Sequence, residues 1–189
     1  MPSCLLDRFQ FVIWDFDGTL FDLNVDWDSL RQRLHAMLRS HRGGSLPSDL
    51  RIDTLVATAR DVGILDAIHA EIAAAELGGL TDWDTGLRVG PTCHLLRRAT
   101  TSAIVSNNMS ATIQTYLGRI GLPDVPFRTR DIVSRPKPAP DGLDALRHLW
   151  AGGPAVIVGD TAIDAQLAVN AGVEFIHVKE LDGDACESS

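Results

Sequence analysis

Apolar and polar positions change rhythm twice along the chain. An apolar run, Phe11-Val12-Ile13-Trp14, climbs to Asp15 and Asp17, and Gly18, Thr19 and Leu20 come at once after them. A short run rich in β-branched and aromatic residues predicts a buried strand. From about Asp22 to Arg88 the rhythm is helical and no strand pattern interrupts it. Leu30, Leu34, Met37 and Leu38 recur at helical spacing, with Asp26 or Asp28 as the N-cap and His41-Arg42-Gly43-Gly44 as the stop. Ser48 or Asp49 is the expected cap of a second helix carrying Ile52, Leu55, Val56 and Ala59. A third carries Ile64, Leu65, Ile68, Ile72 and Ala75 and ends at Gly78-Gly79, and Thr81 to Leu87 is too short to assign.

From Gly90 onward, strand and helix patterns alternate. Pro91 to Thr100 reads as a helix, Ser102 to Ser106 as a strand, and Ser110 to Ile120 as a helix capped by Ser110. Asp131-Ile132-Val133 is a weak strand pattern, and after it come Arg135-Pro136-Lys137-Pro138 and a helix from Asp141 to Trp150. Ala155 to Val158 is a strong strand pattern closed by Gly159-Asp160. A helix from about Ala162 to Ala171 with Gly172 at its end, a last strand from Val173 to Val178 and a polar tail complete the chain. Such alternation implies an α/β fold with a parallel sheet and right-handed crossovers. The helical block is an insertion after the first strand, so the expected organisation is a core of 1–21 and 89–189 with a helical unit of 22–88.

Composition narrows the classes. With 189 residues and 45% hydrophobic positions, the chain is long enough for one core plus a small insert. The formal charge is -8 with no basic cluster. That argues against nucleic acid as a partner, though not against a small phosphorylated substrate. Cys4, Cys93 and Cys186 are odd in number and scattered, which fits free thiols in a reducing compartment. No signal peptide pattern and no membrane-spanning stretch is present, so the expected location is cytoplasmic.

Four polar features fall at or just beyond the carboxyl ends of the expected parallel strands: Asp15 with Asp17, Ser106, Lys137, and Asp160 with Asp164. In an open α/β sheet those ends share one edge, where ligands bind. Each feature alone fits a turn, a cap or a solvated loop. Together they point to one site. Side chains at i and i+2 of an extended segment point the same way, so Asp15 and Asp17 are expected to converge where a cation or a shared proton relieves their repulsion. Gly18 frees backbone N–H groups for an anion.

In this order the set resembles the haloacid dehalogenase (HAD) superfamily, of the phosphoglycolate phosphatase-like kind. The first motif is Asp15-Phe16-Asp17-Gly18-Thr19, the second Ser106 closing Ile104-Val105-Ser106-Asn107, the third Lys137 before Pro138, and the fourth Gly159-Asp160-Thr161-Ala162-Ile163-Asp164. The resemblance implies a Rossmann-like core with an inserted α-helical cap. It implies Asp15 as nucleophile, Asp17 as general acid and base, and Lys137 as a catalytic cation. Gly18, Thr19, Ser106, Asn107 and Lys137 are the implied substrate-binding residues. Mg²⁺ would be held by Asp15, the Asp17 backbone carbonyl and Asp160, with Asp164 supporting. The implied activity is phosphatase action on a small phosphorylated metabolite, with no nucleic acid or membrane partner. The chain departs from many relatives at Asp22-Leu23-Asn24-Val25-Asp26-Trp27, where a Ser or Thr often comes after the Asp. A phosphoglucomutase-like transfer remains the alternative, and a receiver-like phosphate-binding module is the rival outside the superfamily. Arg31, Arg39, Arg42, Arg51 and His69 are the insert's candidates for substrate contact, although arginine on a helix is more commonly solvated.

Overall fold

The run Phe11–Trp14 is strand β1, the centre of a five-stranded, all-parallel sheet in the order β3-β2-β1-β4-β5. The other strands are β2 (Ser102–Ser106), β3 (Phe127–Thr129), β4 (Ala155–Gly159) and β5 (Glu174–His177). The structure, a computed structural model, describes residues 4–42, 51–150 and 152–181. Every side chain of β1, β2 and β4 is buried, as a parallel sheet covered on both faces requires. Alternate residues serve opposite faces. Val12, Trp14, Val156 and Val158 join Phe16, Phe21 and Tyr116 in one apolar cluster, while Phe11, Ile13 and Ile157 join Leu143, Leu146 and Leu167 in another. Trp14 lies in register with Ile104 on one side and Val158 on the other. The three central strands therefore bring Asp15, Ser106 and Asp160, at or just past their carboxyl ends, to one edge.

Four helices come after β1: α1 (Trp27–Arg42), α2 (Ile52–Asp61), α3 (Leu65–Gly79) and the single turn α4 (Trp83–Gly86). Asp26 caps α1, its two carboxylate oxygens accepting from Ser29 N–H at 3.0 Å and Ser29 Oγ at 2.7 Å. Leu30, Leu34, Leu38, Leu55, Ala59, Ile68 and Ile72 bury against one another in a cluster separate from the two sheet cores. The stretch leaves and rejoins the sheet through adjacent lengths of chain. Phe21 and Leu87 form an antiparallel bridge, and Arg88 Nε donates to both oxygens of Asp22 at 2.9 and 3.0 Å.

The remaining helices are α5 (Val89–Arg97), α6 (Ser110–Arg119), α7 (Asp141–Asp144) and α8 (Ala162–Ala171). Gly172 ends α8 at φ +67°, the left-handed conformation that glycine adopts without a Cβ penalty.

Three expectations need correction. The third strand is Phe127–Thr129, not Asp131–Val133. Asp131 is a turn residue whose carboxylate accepts from Ser110 N–H, Ser110 Oγ and Thr129 Oγ1, and Ile132 is half exposed. The helix expected from Asp141 to Trp150 is one α-turn and then a 3₁₀ turn, Arg147–Leu149. Leu143 and Leu146, both buried, are three residues apart, and Leu146 N–H bonds to Leu143 O, an i to i−3 pattern. Ser110 is the first residue of α6, not its cap. The N–H of Met109 at the cap position goes instead to Glu76 of α3 at 2.8 Å. The Gly43-Gly44 stop, the Ser48 or Asp49 cap, Cys186 and the polar tail lie outside the described residues.

Candidate active site

Lys137 reaches the sheet edge from the loop before α7, and its Nζ lies 2.5 Å from Asp15 Oδ1 and 2.5 Å from Asp164 Oδ1. All three side chains are less than a tenth exposed. Asp15 is fixed just past β1 by its N–H bond to Val158 O of β4. Asp164 sits in the first turn of α8, and its other oxygen accepts from Thr161 N–H and Thr161 Oγ1 at 3.2 and 2.6 Å. Both its oxygens are thus engaged within the protein. Two carboxylates share one ammonium, an excess of negative charge that a further cation would offset.

Asp160 closes β4 beside this group. One oxygen each of Asp15, Asp160 and Asp164 lies within 4.8 Å of the others. Asp160 Oδ1 is buried and accepts no hydrogen bond. A buried carboxylate oxygen without a donor is costly unless something positive meets it. An all-oxygen donor set with such an oxygen fits a hard divalent cation such as Mg²⁺. Gly18 is fitted to the same spot. Its φ is +83°, and a Cβ there would collide with the Asp160 carboxylate.

Asp17 stands close enough to this cluster to feel the charges of Asp15 and Asp160. Its Oδ1 accepts from Leu23 N–H at 2.9 Å, where the chain heads into α1. Asp17 also pairs with Phe21 in an isolated bridge. Thr19 is fully buried and its Oγ1 has no hydrogen-bond partner. Ser106 Oγ donates to Asn108 Oδ1 at 2.7 Å and accepts from Asn108 N–H at 3.2 Å. The Asn107 side chain clasps the Lys137 backbone, Nδ2 donating to Lys137 O at 3.0 Å and Oδ1 accepting from Lys137 N–H at 2.9 Å. That pair of hydrogen bonds ties the loop after β2 to the lysine loop and sets where Lys137 starts.

Burial governs the charges. It pushes the Asp15 carboxyl up to about 6 against the pull of Lys137, and the Asp17 carboxyl up to about 7 against its bond from Leu23. Burial and the neighbouring Asp164 also raise Asp160. For Lys137, burial opposes the charge, yet Asp15 and Asp164 hold its pKa above the usual lysine value. Lys137 therefore stays a cation throughout the neutral range.

A cavity of about 430 Å³ opens over the cluster, lined by Asp15, Asp17, Ser106 and Lys137 from the sheet edge and by Trp27, Arg31 and Ile72 from the helices. That is the size of a small-molecule site. Of the five insert residues expected to face substrate, Arg31 lines it; the side chain of Arg42 lies outside the described residues. Two lining residues carried no sequence signal, Glu76 in the last turn of α3 and Arg130 in a turn. Glu76 Oε2 accepts from Met109 N–H and Thr112 Oγ1, both at 2.8 Å, and so joins α3 to the start of α6.

No family model matches the chain. It is 29% identical over 185 residues to a phosphoglycolate phosphatase of Rhodobacter capsulatus, covering 87% of this chain and 82% of that protein. Among solved structures, CbbY of Rhodobacter sphaeroides in complex with phosphate superposes with a TM-score of 0.59 at 17% identity, over 89% of this chain and 85% of that one. The HAD-hydrolase YfnB of Bacillus subtilis, bound to magnesium, gives a TM-score of 0.51 at 17% identity, over 89% of this chain and 88% of that one. The solved structures share the fold and the phosphatase shares part of the sequence; with the four motifs gathered at one sheet edge, the chain is similar to phosphoglycolate phosphatase and, in fold, to haloacid dehalogenase-like hydrolases.

Proposed function

We propose that the chain is a Mg²⁺-dependent phosphatase of small phosphorylated metabolites that works through an aspartyl phosphate on Asp15. The observation that carries this reading is the buried Asp15–Lys137–Asp164 cluster beside the unpartnered Asp160 oxygen, at the floor of a metabolite-sized cavity. The magnesium-bound and phosphate-bound neighbours support it.

The residues divide the chemistry. An Asp15 carboxylate oxygen attacks phosphorus and the ester P–O bond breaks, with the phosphoryl group passing to Asp15. Asp17 gives its proton to the departing oxygen, then takes one from the water that attacks the phosphoryl phosphorus. Inorganic phosphate leaves and Asp15 is restored as a carboxylate. Burial raises the Asp17 carboxyl to about 7, which suits a group that gives and takes a proton near neutral pH. Lys137, Ser106 and the backbone N–H groups near Gly18 and Asn107 meet the charge on the transferring oxygens. The Asp15 carboxylate, the Asp17 backbone carbonyl and Asp160 would hold Mg²⁺, which supplies positive charge to those same oxygens. Asp164 positions Lys137 and, through it, Asp15.

The helices α1 to α4 serve as a cap hinged at the Phe21–Leu87 bridge, shielding the reaction from water. The test is phosphate release from a panel of metabolite phosphates in Mg²⁺ and in excess chelator. Release from at least one small ester that stops in chelator is expected; no release from any ester, aryl phosphates included, overturns the reading.

A further inference from the structure

Among the described residues that the sheet edge contributes to the cavity wall, Arg130 is the one whose charge the proposed chemistry leaves unused. It comes directly after β3, and the register of Ser106 with Thr129 sets it opposite Asn107. Its Nε donates to the Asn107 carbonyl. Asn107 in turn clasps the Lys137 backbone, so the guanidinium is tied to the same loops that present Lys137 and Ser106. The side chain is 7% exposed, and Nη1 is buried without a hydrogen bond. Its nearest carboxylate, Asp53 at the start of α2, stands 3.3 Å away and is half exposed to solvent.

The neighbouring negative groups differ in how free they are. Glu76 is buried and spends one oxygen on Met109 N–H and Thr112 Oγ1. Asp131 is spent on Ser110 and Thr129. Asp53 alone of the three is half exposed and holds Arg130 without a formed hydrogen bond. An arginine fork is built for bidentate pairing with a planar or tetrahedral oxyanion. A buried guanidinium with an open donor and an exchangeable partner is arranged to receive one.

We propose that Arg130 is a specificity-determining residue that grips a second anionic group, a carboxylate or a further phosphate, carried by the substrate away from the scissile ester. The bound anion displaces Asp53 and completes the hydrogen bonding of Nη1. A substrate lacking that group leaves a buried cation poorly paired, and discrimination follows from that penalty. This inference rests on the phosphatase reading above and adds the class of substrate.

The experiment compares kcat/KM for phosphoglycolate, its neutral isostere 2-hydroxyethyl phosphate and propane-1,3-diyl bisphosphate, with an aryl phosphate as reference. Wild type is expected to prefer at least one of the two doubly anionic esters over the neutral one. Arg130→Gln should cut that preference ratio by about 30-fold or more, chiefly through KM, because a buried charge pair has lost one partner. Arg130→Lys should recover part of it, since the charge returns without the fork. Asp53→Asn, a half-exposed change, should raise the ratio by freeing the guanidinium; a fall in the ratio would contradict displacement. Whichever doubly anionic ester loses preference in Arg130→Gln names the second group. Turnover of the aryl phosphate with a ratio that Arg130→Gln leaves unchanged, or with all esters falling alike, overturns the Arg130 assignment and leaves the phosphatase reading standing. Turnover of nothing by wild type overturns the phosphatase reading itself.

Discussion

Lys137 Nζ and Asp15 Oδ1 lie 2.5 Å apart across 122 residues of sequence. Nothing local brings them together. Asp15 is set by the central strand, and Lys137 by the Asn107 clasp on its backbone. Asp164 holds the same ammonium from the other side. The pair therefore reports on three motifs at once, and its loss should be felt in both stability and chemistry.

Lys137→Ala leaves Asp15 and Asp164 buried without their cation. Breaking a buried charge group from one side costs about 3–5 kcal/mol. Removing a cation that faces the transferring oxygens is expected to cost about 10²–10³-fold in kcat. Urea unfolding in chelator reads the first effect and steady-state kinetics the second. Lys137→Arg should not restore activity, because a planar fork cannot stand where one ammonium meets two converging carboxylates. Wild-type stability in Lys137→Ala would contradict the placement of the pair.

Magnesium should stabilise the protein, and more so as pH rises. Burial lifts Asp15 to about 6 and Asp17 to about 7 from an ordinary 3.8, and it also lifts Asp160. A carboxyl whose folded pKa is raised stabilises the fold fully below its unfolded value and loses that contribution as pH climbs through the folded one. The metal-free protein should therefore weaken between about pH 4 and 7. A cation that competes with those protons gains affinity over the same window. With Mg²⁺ at about a hundred times its Kd, a gain near 2.7 kcal/mol raises Tm by about 5–10 °C for a chain of this size. Thermal unfolding with Mg²⁺ or chelator at pH 5 and pH 8 measures it. Asp160→Asn should remove most of the shift, and an equal shift in that variant would reject Asp160 as a ligand.

Asp17→Asn should slow poor leaving groups far more than good ones. General acid–base catalysis contributes about 10²–10⁴-fold, and an aryl leaving group needs no proton in the first step. Hydrolysis rates across esters of graded leaving-group pKa give the comparison. A steeper dependence in Asp17→Asn is expected; an unchanged slope assigns the proton to another group.

Much of the fold was legible because its signals are local. The apolar runs at Phe11–Trp14, Ser102–Ser106 and Ala155–Gly159 carry the strands, and the helical spacing of Leu30, Leu34 and Leu38 carries α1. Motif residues such as Asp15, Lys137 and Asp160 were legible because a parallel sheet collects strand ends at one edge. The features that sequence did not reveal depend on distant partners. Asp131 reads as the start of a strand until Ser110 and Thr129 claim its carboxylate. Ser110 reads as a cap until Glu76, from another helix, takes the cap position's N–H. Arg130 carries no periodic signal, since its burial comes from β2 beside it and the helices facing it.

The central claim is that Asp15 itself carries the phosphoryl group between ester and water. The most direct measurement is rapid acid quench of the Mg²⁺-loaded protein turning over a small phosphate ester, then hydroxylamine trapping and peptide mass spectrometry. A hydroxylamine-sensitive phosphoryl adduct is expected on the peptide containing Asp15, formed at a rate no slower than turnover and absent from Asp15→Asn, which should also release no phosphate above background. Undiminished phosphate release by Asp15→Asn, or an adduct on any other residue formed at the turnover rate, would contradict it.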